Sequence, residues 1–213
     1  MPTERLLGIL SPLIIALLVA ACAAAPRTAK LSEEPIADGL HRVEVRSRGA
    51  LLVPLDHAKQ RAAALEAGGY AISSCMVAFA GEHDETALKP IQDSLNRAFC
   101  SEVKQQLKAQ GGIDARDPAP GMILLEAYLL NLDPTALAGD PNEVRFSKPM
   151  EARLYIKGTR SGRPALRYSE NTSLGRGDAG TSLSRAVDLG VGNLSRIFGR
   201  LDSGQPDVAS PSN

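Results

Sequence analysis

Tryptophan is absent from this chain of 213 residues, and aromatic side chains of all kinds make up only 4% of it. A stacking platform for bases or sugars is therefore not expected. No charge of either sign dominates: Lys+Arg and Asp+Glu are both 24, for a formal net charge of zero. That removes the basic footprint by which proteins hold nucleic acid. Histidine occurs only at His41, His57 and His83, too far apart to share a metal-ligand spacing. Cysteine is equally scarce, at Cys22, Cys75 and Cys100. No serine sits in a G-x-S-x-G nucleophile elbow, and no histidine placement supports Cys75 as a catalytic thiol. No catalytic residue, metal or cofactor is expected.

What is present begins with residues 1–5, a polar lead whose only basic side chain, Arg5, is offset by Glu4. Residues 6–21 are apolar apart from Ser11. This is the layout of an export signal. It closes on Val19-Ala20-Ala21-Cys22, which resembles the lipobox of bacterial lipoproteins. The resemblance implies cleavage before Cys22 and acylation of that residue, so that the membrane is held through lipid on Cys22. One acyl chain holds only marginally, at about 0.8 kcal/mol per buried CH₂, and two or more hold firmly. In the usual sorting rule an Asp after the cysteine retains the protein at the inner membrane. Ala23 stands there, so the periplasmic face of the outer membrane is expected. Two other readings stay open: a plain secretory signal cut near Ala21 or Ala25, and an uncut anchor, since residues 6–25 approach the roughly 20 apolar residues that span a bilayer. Pro12 and the lack of a basic cluster weigh against the anchor.

Removing residues 1–21 leaves enough chain for one domain with a core. Residues 22–37 read as a lipidated tether rich in Ala, Pro and charge, 38–202 as a single domain, and 203–213 as a disordered polar tail. Within the domain, short strands are expected around residues 41–45 and 51–55. Asp56 is placed to cap a helix over 57–67 that Gly68-Gly69 ends. Residues 70–80 read as a strand with Cys75, Val77 and Phe79 on one face and Ile72, Met76 and Ala78 on the other. Leu88, Ile91, Leu95, Phe99, Val103 and Leu107 recur at helical spacing within residues 86–110. Residues 122–132 are apolar on both faces except Glu126 and Asn131, as in an internal strand. Residues 133–142 read as a loop. Residues 148–157 and 165–173 form a hairpin with Tyr155 and Lys157 facing out. A glycine loop over 175–180 leads into a second amphipathic helix, starting at Thr181 or Ser182, with Gly190 where close packing is needed. The sum is an α+β two-layer sandwich, a mainly antiparallel sheet of four or more strands with two amphipathic helices on one face.

If Cys22 is lipidated, Cys75 and Cys100 remain as an even pair in an oxidising compartment. Cys75 lies about 17 Å from its strand end at 3.3 Å per residue. Cys100 lies about 21 Å into its helix at 1.5 Å per residue. The two therefore return to one level and could form a disulfide, with two buried free thiols as the other reading.

Residues 175–180 match G-x-G-x-x-G after a strand and before a helix, but no acidic-ended strand follows, so a plain strand-to-helix loop is favoured over a dinucleotide site. Arg176-Gly177-Asp178 is read as a coincidental adhesion tripeptide. Glu82-His83-Asp84-Glu85 offers hard ligands, but reads as a solvated turn with Asp84 or Glu85 at a helix N-terminus.

From Gly39 onward the order of elements is similar to a family of uncharacterised proteobacterial outer-membrane lipoproteins, a domain of unknown function. The matching residues are Asp38-Gly39-Leu40, the 51–54 run, the strand at 77–79, Pro120-Gly121 leading into 124–132, the hairpin centred on 158–164, and the closing 197–202 segment. This chain departs from the family in lacking a tryptophan in the last helix, and in carrying Lys157 and Ser161-Gly162 at the hairpin turn. The resemblance implies a periplasm-facing α+β lipoprotein without a known active site. The expected function is a non-enzymatic binding or scaffolding module of the envelope, serving a protein partner of unknown identity, for example as an accessory subunit of a transport or assembly complex. An envelope hydrolase with an unrecognised site and a small-ligand or lipid-binding lipoprotein are the alternatives.

Overall fold

A computed structural model of the chain describes residues 31–44, 49–111 and 118–202. The export signal, Cys22, the first part of the tether and the polar tail lie outside the described residues. Seven strands form one sheet: β1 (Leu31–Ala37), β2 (Leu40–Val43), β3 (Gly49–Pro54), β4 (Tyr70–Phe79), β5 (Ile123–Leu132), β8 (Met150–Arg160) and β9 (Arg163–Leu174). Their spatial order is β1-β2-β3-β9-β8-β5-β4, antiparallel throughout except for the parallel pair β4–β5. Three two-residue strands, β6 (Leu137–Ala138), β7 (Arg145–Phe146) and β10 (Gly177–Asp178), make a second small sheet. The helices are α1 (His57–Glu66), α2 (Glu85–Gly111) and α3 (Ala179–Asp202).

The α+β sandwich is the fold expected from the pattern, with more strands and one more helix than the two periodic stripes alone require. Residues 31–37, read from sequence as the end of the tether, are edge strand β1. Edge position explains why the pattern hid it: Pro35 is tolerated opposite His41, because an edge strand has a side that needs no donor. Residues 133–142 carry a 3-10 turn (Pro134–Ala136) and β6 rather than loop alone.

The core lies between the sheet and the helices. One row across the covered face runs Val43–Leu51–Tyr168–Ile156–Ala127–Cys75, each opposite the next on neighbouring strands. Against it α2 buries Leu95, Phe99, Val103 and Leu107, and α3 buries Leu183, Val187, Val191 and Leu194. Burying one such side chain is worth about 1.5–3 kcal/mol, so these two stripes carry much of the fold. Helix α2 starts at Asp84, whose Oδ1 accepts from the Thr86 and Ala87 amides at 3.0 and 3.1 Å. Asp56 does not cap α1 in the expected way. It makes no side-chain bond to the helix amides, and its Oδ1 accepts instead from Gln60 Nε2 at 2.9 Å.

Two bulges break the strand alternation. Ile72 stands opposite Leu125 and Ser74 opposite Glu126, so Ser73 is an extra residue in β4. Ile72 consequently packs on the covered face with Cys75 and Val77, not on the Met76 face. On β5, Asn131 takes φ 67. The register slips there, and Leu132 comes to stand opposite Phe79, fully buried.

Candidate functional site

Among the described residues, no helix covers the second face of the sheet. There the pairing sets Met76 beside Tyr128, Tyr128 beside Tyr155, Tyr155 beside Ser169, and Ser169 beside Ala50. The adjoining row is Ser74–Glu126–Lys157–Arg167–Leu52–Arg42. On the far side of the first row, Leu130 stands opposite Arg153, and Arg153 opposite Asn171.

This face is amphipathic by construction. The Tyr128 and Tyr155 rings lie 5.9 Å apart, tilted by 39°, within the range of a favourable aromatic pair. Met76 is 44% exposed beside them. The Tyr128 hydroxyl donates to Glu126 Oε2 at 2.5 Å, and Lys157 Nζ lies 3.5 Å from the other Glu126 oxygen. That hydrogen bond to the carboxylate, with some desolvation, raises the Tyr128 pKa, so the phenol stays neutral. Arg153 donates to Ser169 Oγ at 3.4 Å, and Arg167 pairs with Asp38. An aromatic centre ringed by charges of both signs can offer contact area and hydrogen bonds.

Sequence reasoning placed Tyr155 and Lys157 outward, as the structure does. It missed the β5 side of this face, because Leu124 and Leu130 made the strand look buried on both sides. The available signal was that Glu126 and Tyr128, the polar groups of β5 ahead of the bend at Asn131, share one parity. The sparse aromatics hid the site as well: two of only four tyrosines meet here.

The remaining sequence candidates fall elsewhere. Each imidazole donates from Nδ1 to a nearby carbonyl: His41 to Ser32, His57 to Pro54 and His83 to Gly81, at 2.8, 3.2 and 3.0 Å. Among the described residues no three His, Cys, Asp or Glu side chains are gathered to hold a metal ion. Likewise, no described helix is long and apolar enough to cross a membrane. Part of the 175–180 glycine motif is already paired within the fold. Gly177 and Asp178 pair with Phe146 and Arg145 as β10. Helix α3 starts at Ala179, ahead of the expected Thr181, because Asp178 Oδ1 accepts from the Thr181 amide and hydroxyl at 2.7 and 2.8 Å. Those bonds hold the Asp178 carboxyl below its ordinary range, so a negative charge already sits where a phosphate would bind.

Beside that helix start lies an open cleft of about 1040 Å³, bounded by Glu102 and Gln106 of α2, by Arg176, and by Thr181, Arg185 and Asp188 of α3. The side chains named here are polar or charged. Cys75 on β4 and Cys100 on α2 are both free thiols, and burial together with the neighbouring Cys100 raises the Cys75 pKa.

No family model and no curated protein matches this chain. Among solved structures, it is similar to a PelC dodecamer from Paraburkholderia phytofirmans, at 13% identity and a TM-score of 0.34, over 65% of this chain and 89% of that one. It is also similar to the crystal structure of an uncharacterized protein, at 11% identity and a TM-score of 0.32, over 63% and 91% of the two chains. At TM-scores this low the likeness carries no argument about what this chain does.

Proposed function

We propose that this chain is a lipid-anchored, periplasm-facing module of the outer membrane that recruits an envelope protein on the open face of its sheet and catalyses no reaction itself. The observation that carries this reading is the uncovered row Met76–Tyr128–Tyr155, bordered by Glu126, Lys157, Arg153 and Arg167. An aromatic and methionine centre inside a polar, charged rim is the usual anatomy of a protein–protein contact. The lipobox-like residues 19–22 and the resemblance to outer-membrane lipoproteins supply the location.

Site-directed photo-cross-linking in cells tests the face. A photoreactive residue at Met76 or Tyr155 should yield the same single adduct. One at Leu189, exposed on α3, should not. Identical adducts from all three positions, or none from the sheet, would overturn the reading. The anchor is tested separately by Cys22→Ser, which should release the protein into the soluble periplasmic fraction. Continued membrane fractionation at wild-type mobility would remove the lipid from the proposal.

A further inference from the structure

Strand β4 ends the seven-stranded sheet, so its outer side has no neighbouring strand. Open edges of this kind invite pairing with foreign strands, and native proteins cover them. Here α2 supplies the cover. The Val77 amide donates to Asn96 Oδ1 at 2.6 Å, and Gln92 Nε2 donates to the Val77 carbonyl at 2.8 Å. Two side-chain amides thus satisfy both backbone groups of one edge residue, as a paired strand would.

Gln92 and Asn96 are four residues apart, on one stripe of the helix, and the next residue of that stripe is Cys100. One more turn carries the stripe about 6 Å along. Two residues back from Val77 along β4 is about 6.6 Å, and the residue there is Cys75. The two distances match because α2 runs back along β4 to reach the parallel strand β5. The register set by the amides therefore brings Cys100 over Cys75, near enough for Cys100 to raise the Cys75 pKa. Both residues are partly exposed.

We propose that Cys75 and Cys100 are oxidised to a disulfide that completes this clamp, so that α2 closes the edge of β4 at successive points with two amides and one covalent bond. The co-reactant is a disulfide, carried by a small thiol or by a thiol–disulfide oxidoreductase. Cys100 loses its proton and attacks a sulfur of that donor, forming a mixed disulfide and expelling one donor thiolate. Cys75, which burial and the neighbouring Cys100 keep protonated longer, then loses its proton and attacks the Cys100 sulfur. The Cys75–Cys100 bond forms and the second donor thiolate leaves. The pair gives up two electrons and two protons, and the donor disulfide becomes two thiols. The supply of such a donor in the cell rests on the periplasm-facing location proposed above. The ability of the pair to close does not.

The test uses the full-length protein, purified reduced in detergent and treated with oxidised glutathione. The expected product is lighter by two hydrogens and yields one cross-linked peptide containing Cys75 and Cys100. Its melting temperature rises by roughly 10 °C for a loop of this length. Exchange of the Val77 amide slows roughly tenfold or more. Cys75→Ala should leave a stable glutathione adduct on Cys100 and abolish both shifts. The proposal is overturned if both thiols still react with an alkylating agent after oxidation, or if the wild-type protein keeps glutathione on Cys100 without resolving it. Protein taken from cells with thiols trapped at lysis separates the two readings. A bond that closes with glutathione but is open in cells supports the pair and counts against the location.

Discussion

Gly190 and Leu154 meet where α3 crosses β8, and a Cβ at Gly190 would run into Cδ2 of Leu154. Leu154 is itself 1% exposed, so its tip has little room to yield. Gly190→Ala should destabilise by about 1–3 kcal/mol in a denaturant titration. In a double-mutant cycle, Leu154→Ala should recover part of that loss, because it vacates the space. Strict additivity would place the cost elsewhere. The need for a small residue at position 190 was legible, since a glycine inside an apolar stripe signals close approach. The identity of what approaches was not, because it depends on how sheet and helix are placed. Asp133 gives a second test at this scale. Bonds from Lys148 and from the Thr135 hydroxyl and amide lower its pKa from 3.8 to about 2. A carboxyl depressed in the folded state stabilises it above the ordinary value, and that support fades as pH falls from there through about 2. The turn at Pro134–Ala136 should therefore loosen across that interval. Lys148→Met should move the Asp133 titration upward in carboxyl NMR shifts. An unchanged titration would show that Lys148 contributes nothing.

Among the elements, the long periodic ones were legible and the short or interrupted ones were not. Both amphipathic helices and the β8–β9 hairpin follow from spacing alone, since each must bury one stripe or one parity. Strands β6, β7 and β10 are two residues each, too short to show any period. The faces of β4 were misread where a bulge intervenes, because a bulge depends on the register with the neighbouring strand. The other bulge, at Asn131 of β5, is testable. At φ 67 an L-residue with a branched Cβ is strained, whereas glycine is not. Asn131→Val should cost about 1–2 kcal/mol and Asn131→Gly a good deal less, read as thermal midpoints. Equal losses would mean that the asparagine side chain, not the backbone, holds the bend.

At the scale of the whole molecule, the division into a covered and an open face separates stability from the proposed recognition. Changes on the covered face should cost folding. Changes on the open face should cost binding. Met76→Glu, at a position 44% exposed, should shift stability by no more than about 0.5 kcal/mol and still remove the cross-linked adduct obtained from Tyr155. Loss of the fold with the adduct would mean that this face belongs to the core. The α+β class and the domain's helical layer could be read from sequence. Of the open face only the β8 side was legible, through Tyr155 and Lys157; the β5 side was not, because Leu124 and Leu130 made that strand look buried on both sides.

The sheet joins the chain's early and late portions at its centre, where β3 lies against β9 and Gly49 stands opposite Glu170. More than half the chain separates those two residues. Whether this polypeptide leaves a ribosome or a translocation pore, the three strands that emerge first have only one another as neighbours until nearly the last ones arrive. Leu51 and Val53, fully buried in the finished fold, stay uncovered through that interval, when exposed apolar strand is most open to aggregation. A chain cut short before β9 therefore loses more than its C-terminal portion: it also strands the three strands made at the beginning.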